Sequence, residues 1–436
     1  MKRNQLRAAI VGAGHRAIRY ASYAHQRPQE LTITAVADPS ARRRELAAKL
    51  FEIPQDRCFH SAEELAGKPP MADAIINGTM DQQHVPTSLP LLEAGYDILL
   101  EKPFATNEQE MWQLQEAAAR LRRKVMVCHV LRYAPFYRDV RRCVLDGAIG
   151  EITNIQTIEH VSYHHMGVGF LRGKWRSKRL CGSSMLMSKC CHDLDLIAWM
   201  KSGVAPVKVA SFGGNMQFAP QRAPAGSGTR CLVDCKVETD CMYSARKHYL
   251  DHPRRWSFYI WGAFETADDP DAEAVTAEQR LTSLKTDNPY GVCVWKSGCE
   301  VVDHQSVAIE FEDGCTATHN MVGGTARSCR SIHLVGTKGE IQGDFELGSF
   351  VVRGIDTRPG HEYSESTHNV NAGGDMHGAF GGHGGGDSRL MEDFLKYLKG
   401  EPPSISCTNL EDSIRGHLIG FRADAAREQG VGLSLT

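Results

Sequence analysis

A glycine motif near the N-terminus constrains this chain more than any other feature. Val11-Gly12-Ala13-Gly14-His15-Arg16-Ala17 follows the apolar run Ala8-Ala9-Ile10-Val11 and fits G-x-G-x-x-G/A, with Ala17 in the last place. At a strand-to-helix junction Gly12 allows the tight turn. Gly14 lets the backbone approach a pyrophosphate, which then sits at the helix N-terminus. Ala13, His15 and Arg16 complete the loop. Asp38 ends the next strand about 20 residues on, where a carboxylate holds the adenosine ribose hydroxyls. A carboxylate repels a 2′-phosphate, so Asp38 favours NAD. Arg42 and Arg43 keep NADP open, because an arginine accepts that phosphate.

The pattern around the motif alternates. Short β-branched or aliphatic runs at 8–11, 31–37, 73–76, 97–100 and 124–130 read as strands. Helical segments at 40–50, 86–94 and 108–121 separate them, with Asn107 as an N-cap and Gly95 as a stop. Strands joined by single helices imply right-handed crossovers and a parallel sheet, a Rossmann-type dinucleotide-binding domain over 1–130. Residues 131–436 read as α+β with a largely antiparallel open sheet. Strand-like runs lie at 151–161, 207–218, 257–261, 332–335 and 340–345, and Asp313-Gly314 turns a hairpin between 306–311 and 315–320. One helix interrupts them at 189–200. Two more, within 388–428, are expected to pack back on the first domain.

At 436 residues the chain is long enough for two or three domains. Its net charge of -2 lacks the basic excess of a nucleic-acid binder. No apolar run approaches the roughly 18 residues of a membrane span. The basic start lacks the apolar stretch of a signal peptide, so the expected location is cytoplasmic. Fourteen cysteines are spread along the whole length, which argues against a disulfide scaffold.

Glu101-Lys102-Pro103 follows the fourth strand. With the glycine motif, Arg132-Tyr133, Asp146-Gly147-Ala148-Ile149-Gly150-Glu151-Ile152 and Gly336-Thr337-Lys338-Gly339-Glu340-Ile341, it resembles the glucose–fructose oxidoreductase/inositol dehydrogenase (Gfo/Idh/MocA) family. The resemblance covers nearly the whole chain. It implies a nicotinamide cofactor, a cleft between the two domains, and a homodimer or homotetramer built through the C-terminal sheet. It places Lys102 near the nicotinamide, with Pro103 carrying a strained or cis bond that aims it. Independently, a lysine at the carboxyl end of a parallel strand lies where ligands bind. Glu101, Lys102 and His84 complete the expected cofactor set. In Ser188-Lys189-Cys190-Cys191-His192-Asp193-Leu194-Asp195, His192 and Asp195 match the family's histidine and following aspartate. Ser188 replaces its earlier aspartate, and Lys189 is the local substitute. Lys189 and His192 share a helix face. Lys102, His192 and Lys189 are therefore the expected catalytic set, with His192 as general base and Lys102 stabilising the alkoxide.

Tyr163, His164, His165, Arg172 and Trp175 form a stretch of rings and cations suited to a carbohydrate. With Asp195 and His383, which lies in a glycine-dense loop, they make up the expected substrate wall. The substrate class is a cyclic sugar, glycoside or polyol. Two other functions remain open: a redox-assisted glycoside hydrolase with an added acid or base at Tyr163, His164 or His165, and a non-catalytic cofactor sensor. Cys231, Cys235 and Cys241 are closely spaced. Ordinary thiols are one reading; a structural zinc completed by Cys190 or Cys191 is the other.

Overall fold

Six strands form the first sheet: β1 (Leu6–Val11), β2 (Leu31–Ala37), β3 (Cys58–Phe59), β4 (Ala74–Asn77), β5 (Asp97–Leu100) and β6 (Val125–Val127). They lie parallel in the order β3-β2-β1-β4-β5-β6. The computed structural model describes residues 5–252, 256–261, 276–370 and 385–435. β4 is buried at every position, as expected of a strand covered on both faces. The strand order reverses between β1 and β4, which opens a crevice at the carboxyl edge. Gly12, Asp38, Gly78 and Glu101 each directly follow a strand there.

Among the described residues the second sheet has nine strands. They are β7 (Ile152–Ser162), β8 (Pro206–Gly214), β9 (His304–Phe311), β10 (Thr316–Thr325), β11 (Cys329–Gly336), β12 (Gly339–Asp344), β13 (Ser349–Ile355), β14 (Tyr363–Asn369) and β15 (Leu433–Ser434). Their order is β14-β13-β12-β11-β7-β10-β9-β8-β15. Only the central pair β7 and β10 is parallel; the rest are antiparallel. Burial alternates along β9, so one face meets the core and the other points outward.

The helix Met185–Met200 lies against the inner face, and all its residues are buried. The Ser184 hydroxyl caps it by accepting from the Met187 N–H at 3.1 Å. The helix Leu410–Gln429 crosses it closely. A Cβ on Gly416 would lie 2.9 Å from the Asp195 Cα, and one on Gly420 would lie 2.2 Å from the Met187 Sδ. The helix Gly386–Lys399 buries Leu390, Met391, Phe394 and Leu395 in the core of the first sheet. The tail also extends that sheet, as the Val127 N–H donates to the Thr408 carbonyl at 2.8 Å. Among the described residues no helix is long and apolar enough to cross a membrane.

One expected strand is absent. Ser257–Ile260 is a helical turn. The adjoining apolar residues pack with Tyr249, Leu284 and Tyr290 in a separate cluster, so the run finds a core without a strand partner. The β13–β14 hairpin was not anticipated, because β14 is mostly exposed and polar and carries no apolar alternation.

His129, His319 and His417 are among the histidines with no exposed surface. Burial pushes the His129 and His417 imidazoles well down and His319 to about 4. In the folded chain they stay neutral where the unfolded chain, with an ordinary value of 6.5, takes up protons. Their contribution is therefore complete above pH 6.5 and is lost as pH falls toward 4. For His319 alone the full loss is about 3 kcal/mol. Urea unfolding should show the midpoint falling between about pH 7 and pH 5. A flat profile across that window would contradict this account.

Candidate active site

A cleft of about 1020 Å³ opens at the carboxyl edge of the first sheet and is closed on its far side by the second domain. On the cofactor side Gly12 has φ +76°, and a Cβ there would lie 2.7 Å from the Thr79 nitrogen. Gly14 differs: its nearest neighbour would be the Gly78 carbonyl at 3.8 Å. The protein itself does not require glycine at 14, so the room is left for a ligand. Asp38 ties the loop to β2. Its Oδ2 accepts from the Ala13 N–H and its Oδ1 from the Ser40 N–H, both at 2.8 Å. Arg43 Nη1 stands 3.9 Å from Asp38 Oδ2. Burial, reinforced by Arg16, pushes His15 down to about 4, so it adds no charge near neutrality.

Arg16 and Glu101 line the cleft but are spent on each other. Arg16 pairs with Glu101 at 3.2 Å and with Asp387 at 2.6 Å, and the Tyr20 hydroxyl donates to Glu101 at 2.8 Å. Burial alone would raise the Glu101 carboxyl, but Arg16, Lys102 and the Tyr20 hydroxyl together outweigh it and hold the group below its usual range. The network fastens the helix Gly386–Lys399 to the cofactor loop. His84 likewise acts as a strut. Its ring nitrogens meet the Pro103 carbonyl at 2.7 Å and the Thr79 carbonyl at 3.1 Å, bracing the cis Lys102–Pro103 turn.

Lys102, Lys189 and His192 line the same cleft. Lys102 Nζ reaches across the domains and donates to the Ser188 carbonyl at 3.0 Å. Lys189 Nζ pairs with Glu159 Oε1 at 3.1 Å. Glu159 also meets Arg330 at 2.6 Å, and Arg330 meets Asp193 at 3.0 Å. His192 is buried, edge-on to His129 with ring centres 5.6 Å apart. Asp195 does not join them. About one turn further along the helix it faces the domain junction, where Arg132 grips it at 2.7 and 2.6 Å. The expected substrate contact is replaced by a buried ion pair.

The substrate wall is divided. His165 and Trp175 line the cleft. His165 leans on Trp256 with ring centres 4.6 Å apart, and Lys174 Nζ lies 4.3 Å above the Trp175 ring. His164 turns inward and stacks on His248 at 4.7 Å. Tyr163 packs against the same core, away from the lining. Arg172 borders the cleft, yet its guanidinium is consumed inside, by the Val292 and Tyr243 carbonyls, the Tyr249 hydroxyl and the Cys231 sulfur. His383 lies outside the described residues. Lys174, within the expected stretch of rings and cations, also lines the cleft, as do Arg330, Trp256 and Tyr259, which were not anticipated. Arg330 was legible, since it shares the inward register of β11 with Ile332 and Leu334.

Cys190 and Cys191 sit on the Met185–Met200 helix, outside the cavity that the other expected cysteines line. Cys231, Cys235 and Cys241 instead share a second, small cavity with Cys293. Among the described residues, Cys190, Asp193 and His319 alone bring three metal-ligating atoms within 4.8 Å of one another. Asp193 is already held by Arg330.

Comparison with known proteins agrees with this architecture. Residues 6–129 match the model of an oxidoreductase family with an NAD-binding Rossmann fold, and residues 141–430 match the same family's C-terminal alpha/beta domain. The chain is 26% identical to YteT of Bacillus subtilis (strain 168) over 333 residues, covering 74% of this chain and 72% of YteT. It is 26% identical over 206 residues to an inositol 2-dehydrogenase of Corynebacterium glutamicum, covering 47% of this chain and 57% of that protein. The crystal structure of an oxidoreductase from Agrobacterium radiobacter in complex with NAD+, L-tartaric acid and magnesium has the same fold. Its TM-score is 0.67 at 14% identity, over 99% of this chain and 98% of that one.

Proposed function

This chain belongs to the Gfo/Idh/MocA oxidoreductase family, and from that premise we propose that it transfers a hydride between a nicotinamide cofactor and a hydroxyl-bearing carbon of a cyclic sugar, glycoside or polyol. One observation carries the reading. Lys102, Lys189 and His192 come from different domains yet line one cleft with the glycine loop and the Trp175 wall. Bound at that loop, the cofactor supplies the hydride acceptor or donor.

The chain's own residues do the rest. Trp175 and Trp256 offer apolar faces to a sugar ring. His192 takes the proton of the reacting hydroxyl, a task suited to an imidazole. Lys102 stabilises the alkoxide that develops on that oxygen. Lys189, held by Glu159, adds a second fixed cation. Asp38 supports NAD: a carboxylate has about four lone-pair sites, so two backbone N–H donors leave capacity for ribose hydroxyls.

His192→Asn should lower kcat about 100-fold near neutrality and remove the acidic limb of the kcat/KM profile. An unchanged limb would remove His192 from the role of base. The first test of function is a panel of free sugars, inositols and aryl glycosides with NAD or NADP. Accumulating reduced cofactor supports the dehydrogenase and identifies its substrate class. A second reading rests on His165, which alone among Tyr163, His164 and His165 lines the cleft. It would serve a redox-assisted hydrolase, seen as aglycone release without net cofactor reduction. Tight cofactor binding with no turnover would leave a sensor.

A further inference from the structure

Between β8 and β9 the chain makes a long excursion that supplies Trp256 and Tyr259 to the cleft wall. Among its described residues the regular structure is limited to short helical pieces. Behind that wall, Cys231, Cys235, Cys241 and Cys293 line one small cavity. An antiparallel bridge between Arg230 and Val292 sets two of them side by side. It is tied by the Cys231 N–H to the Gly291 carbonyl and the Cys293 N–H to the Thr229 carbonyl, both at 2.9 Å.

Two of the four sulfurs have donors aimed at them. The Tyr243 N–H donates to Cys241 Sγ at 3.3 Å. Arg172 Nη2 donates to Cys231 Sγ, also at 3.3 Å. Arg172 is 1% exposed, and no carboxylate forms an ion pair with it among the described residues. Glu238, on the cavity rim, is bonded to the Ser244 hydroxyl instead. A buried charge without an opposite partner is costly. Thiolates held by a metal would supply the missing negative charge.

We propose that Cys231, Cys235, Cys241 and Cys293 bind one structural zinc ion as a tetrathiolate that braces the substrate-side wall. Four cysteines and no open position match a structural zinc site. N–H and guanidinium donors to the sulfurs are the outer contacts such a site needs. A tetrathiolate holds its sulfurs about 3.8 Å apart, from a Zn–S bond of about 2.3 Å. No three of these sulfurs lie within 4.8 Å of one another here. One χ1 change moves a sulfur by roughly 3 Å, so side-chain rotation gathers the set with the backbone in place. The site binds no substrate, so its test is independent of the activity.

The test is metal analysis of the full chain purified without chelator. About one zinc per chain is expected. Removing it and adding Co(II) under reducing conditions should give thiolate-to-cobalt charge-transfer bands and the d–d bands of a tetrahedral site. Cys293→Ser should lose the metal and Cys191→Ser should keep it. Should Cys293→Ser not fold, the cobalt spectrum of the native chain decides. Metal-free protein with no cobalt bands overturns the proposal. So does iron in place of zinc, or loss of metal with Cys191→Ser while Cys293→Ser retains it.

Discussion

Lys102→Met is expected to lower kcat/KM by about a thousandfold while cofactor affinity stays within a few-fold. The side chain projects from the carboxyl end of β5 and ends 3.0 Å from the Ser188 carbonyl, in the cleft shared with His192. Methionine keeps an unbranched apolar stem, one atom shorter, but removes the cation. The lost interaction is one that strengthens only as negative charge grows on the substrate oxygen, so kcat should fall more than KM rises. Steady-state kinetics, paired with fluorescence titration of the cofactor, separates the two effects. A variant with kcat near wild type would remove Lys102 from the chemistry.

The largest stability effect is expected at the domain junction. Arg132→Met should cost about 3–5 kcal/mol, because it leaves the Asp195 carboxylate buried beside no guanidinium. Asp195 is 1% exposed and Arg132 is 2% exposed. Arg132 also donates to the Cys407 carbonyl at 3.1 Å. One guanidinium thus ties the end of the first domain, the helix that carries His192 and the C-terminal segment. Replacing both partners, as Arg132→Met with Asp195→Leu, should recover much of the loss, since no charge is then stranded. Denaturant unfolding of the two single variants and the double variant measures this coupling. Additive losses would show that the pair is not a unit.

The helix ends show what short-range sequence can say. Asn107 caps its helix where expected, because a cap depends on the three residues that follow it. The polar β14 escaped because its pairing with β13 relies on main-chain bonds that leave no apolar period. Ser257–Ile260 was misread because a short apolar run suits a strand or a buried helical turn equally, and only its packing partners choose.

The site divides the same way. Gly12, Gly14, Asp38, Lys102, Lys189 and His192 were legible because each belongs to a short motif whose spacing sets its place on a strand end or helix face. Their convergence on one cleft follows from strand order and domain packing. The direction of individual side chains is another matter. Asp195 turns to an arginine 63 positions away, and Arg172 to a carbonyl 120 positions away. His84 spends both ring nitrogens on backbone carbonyls. Cys293 joins cysteines from the far end of the excursion through a single bridge. The sequence by itself determined the fold class, the cofactor loop and the short motifs that carry Lys102, Lys189 and His192, since local spacing and periodicity act over one or two turns. Only the tertiary structure decided which polar groups face the cleft and which are consumed inside, because a buried charge or donor takes whichever partner the packing brings to it.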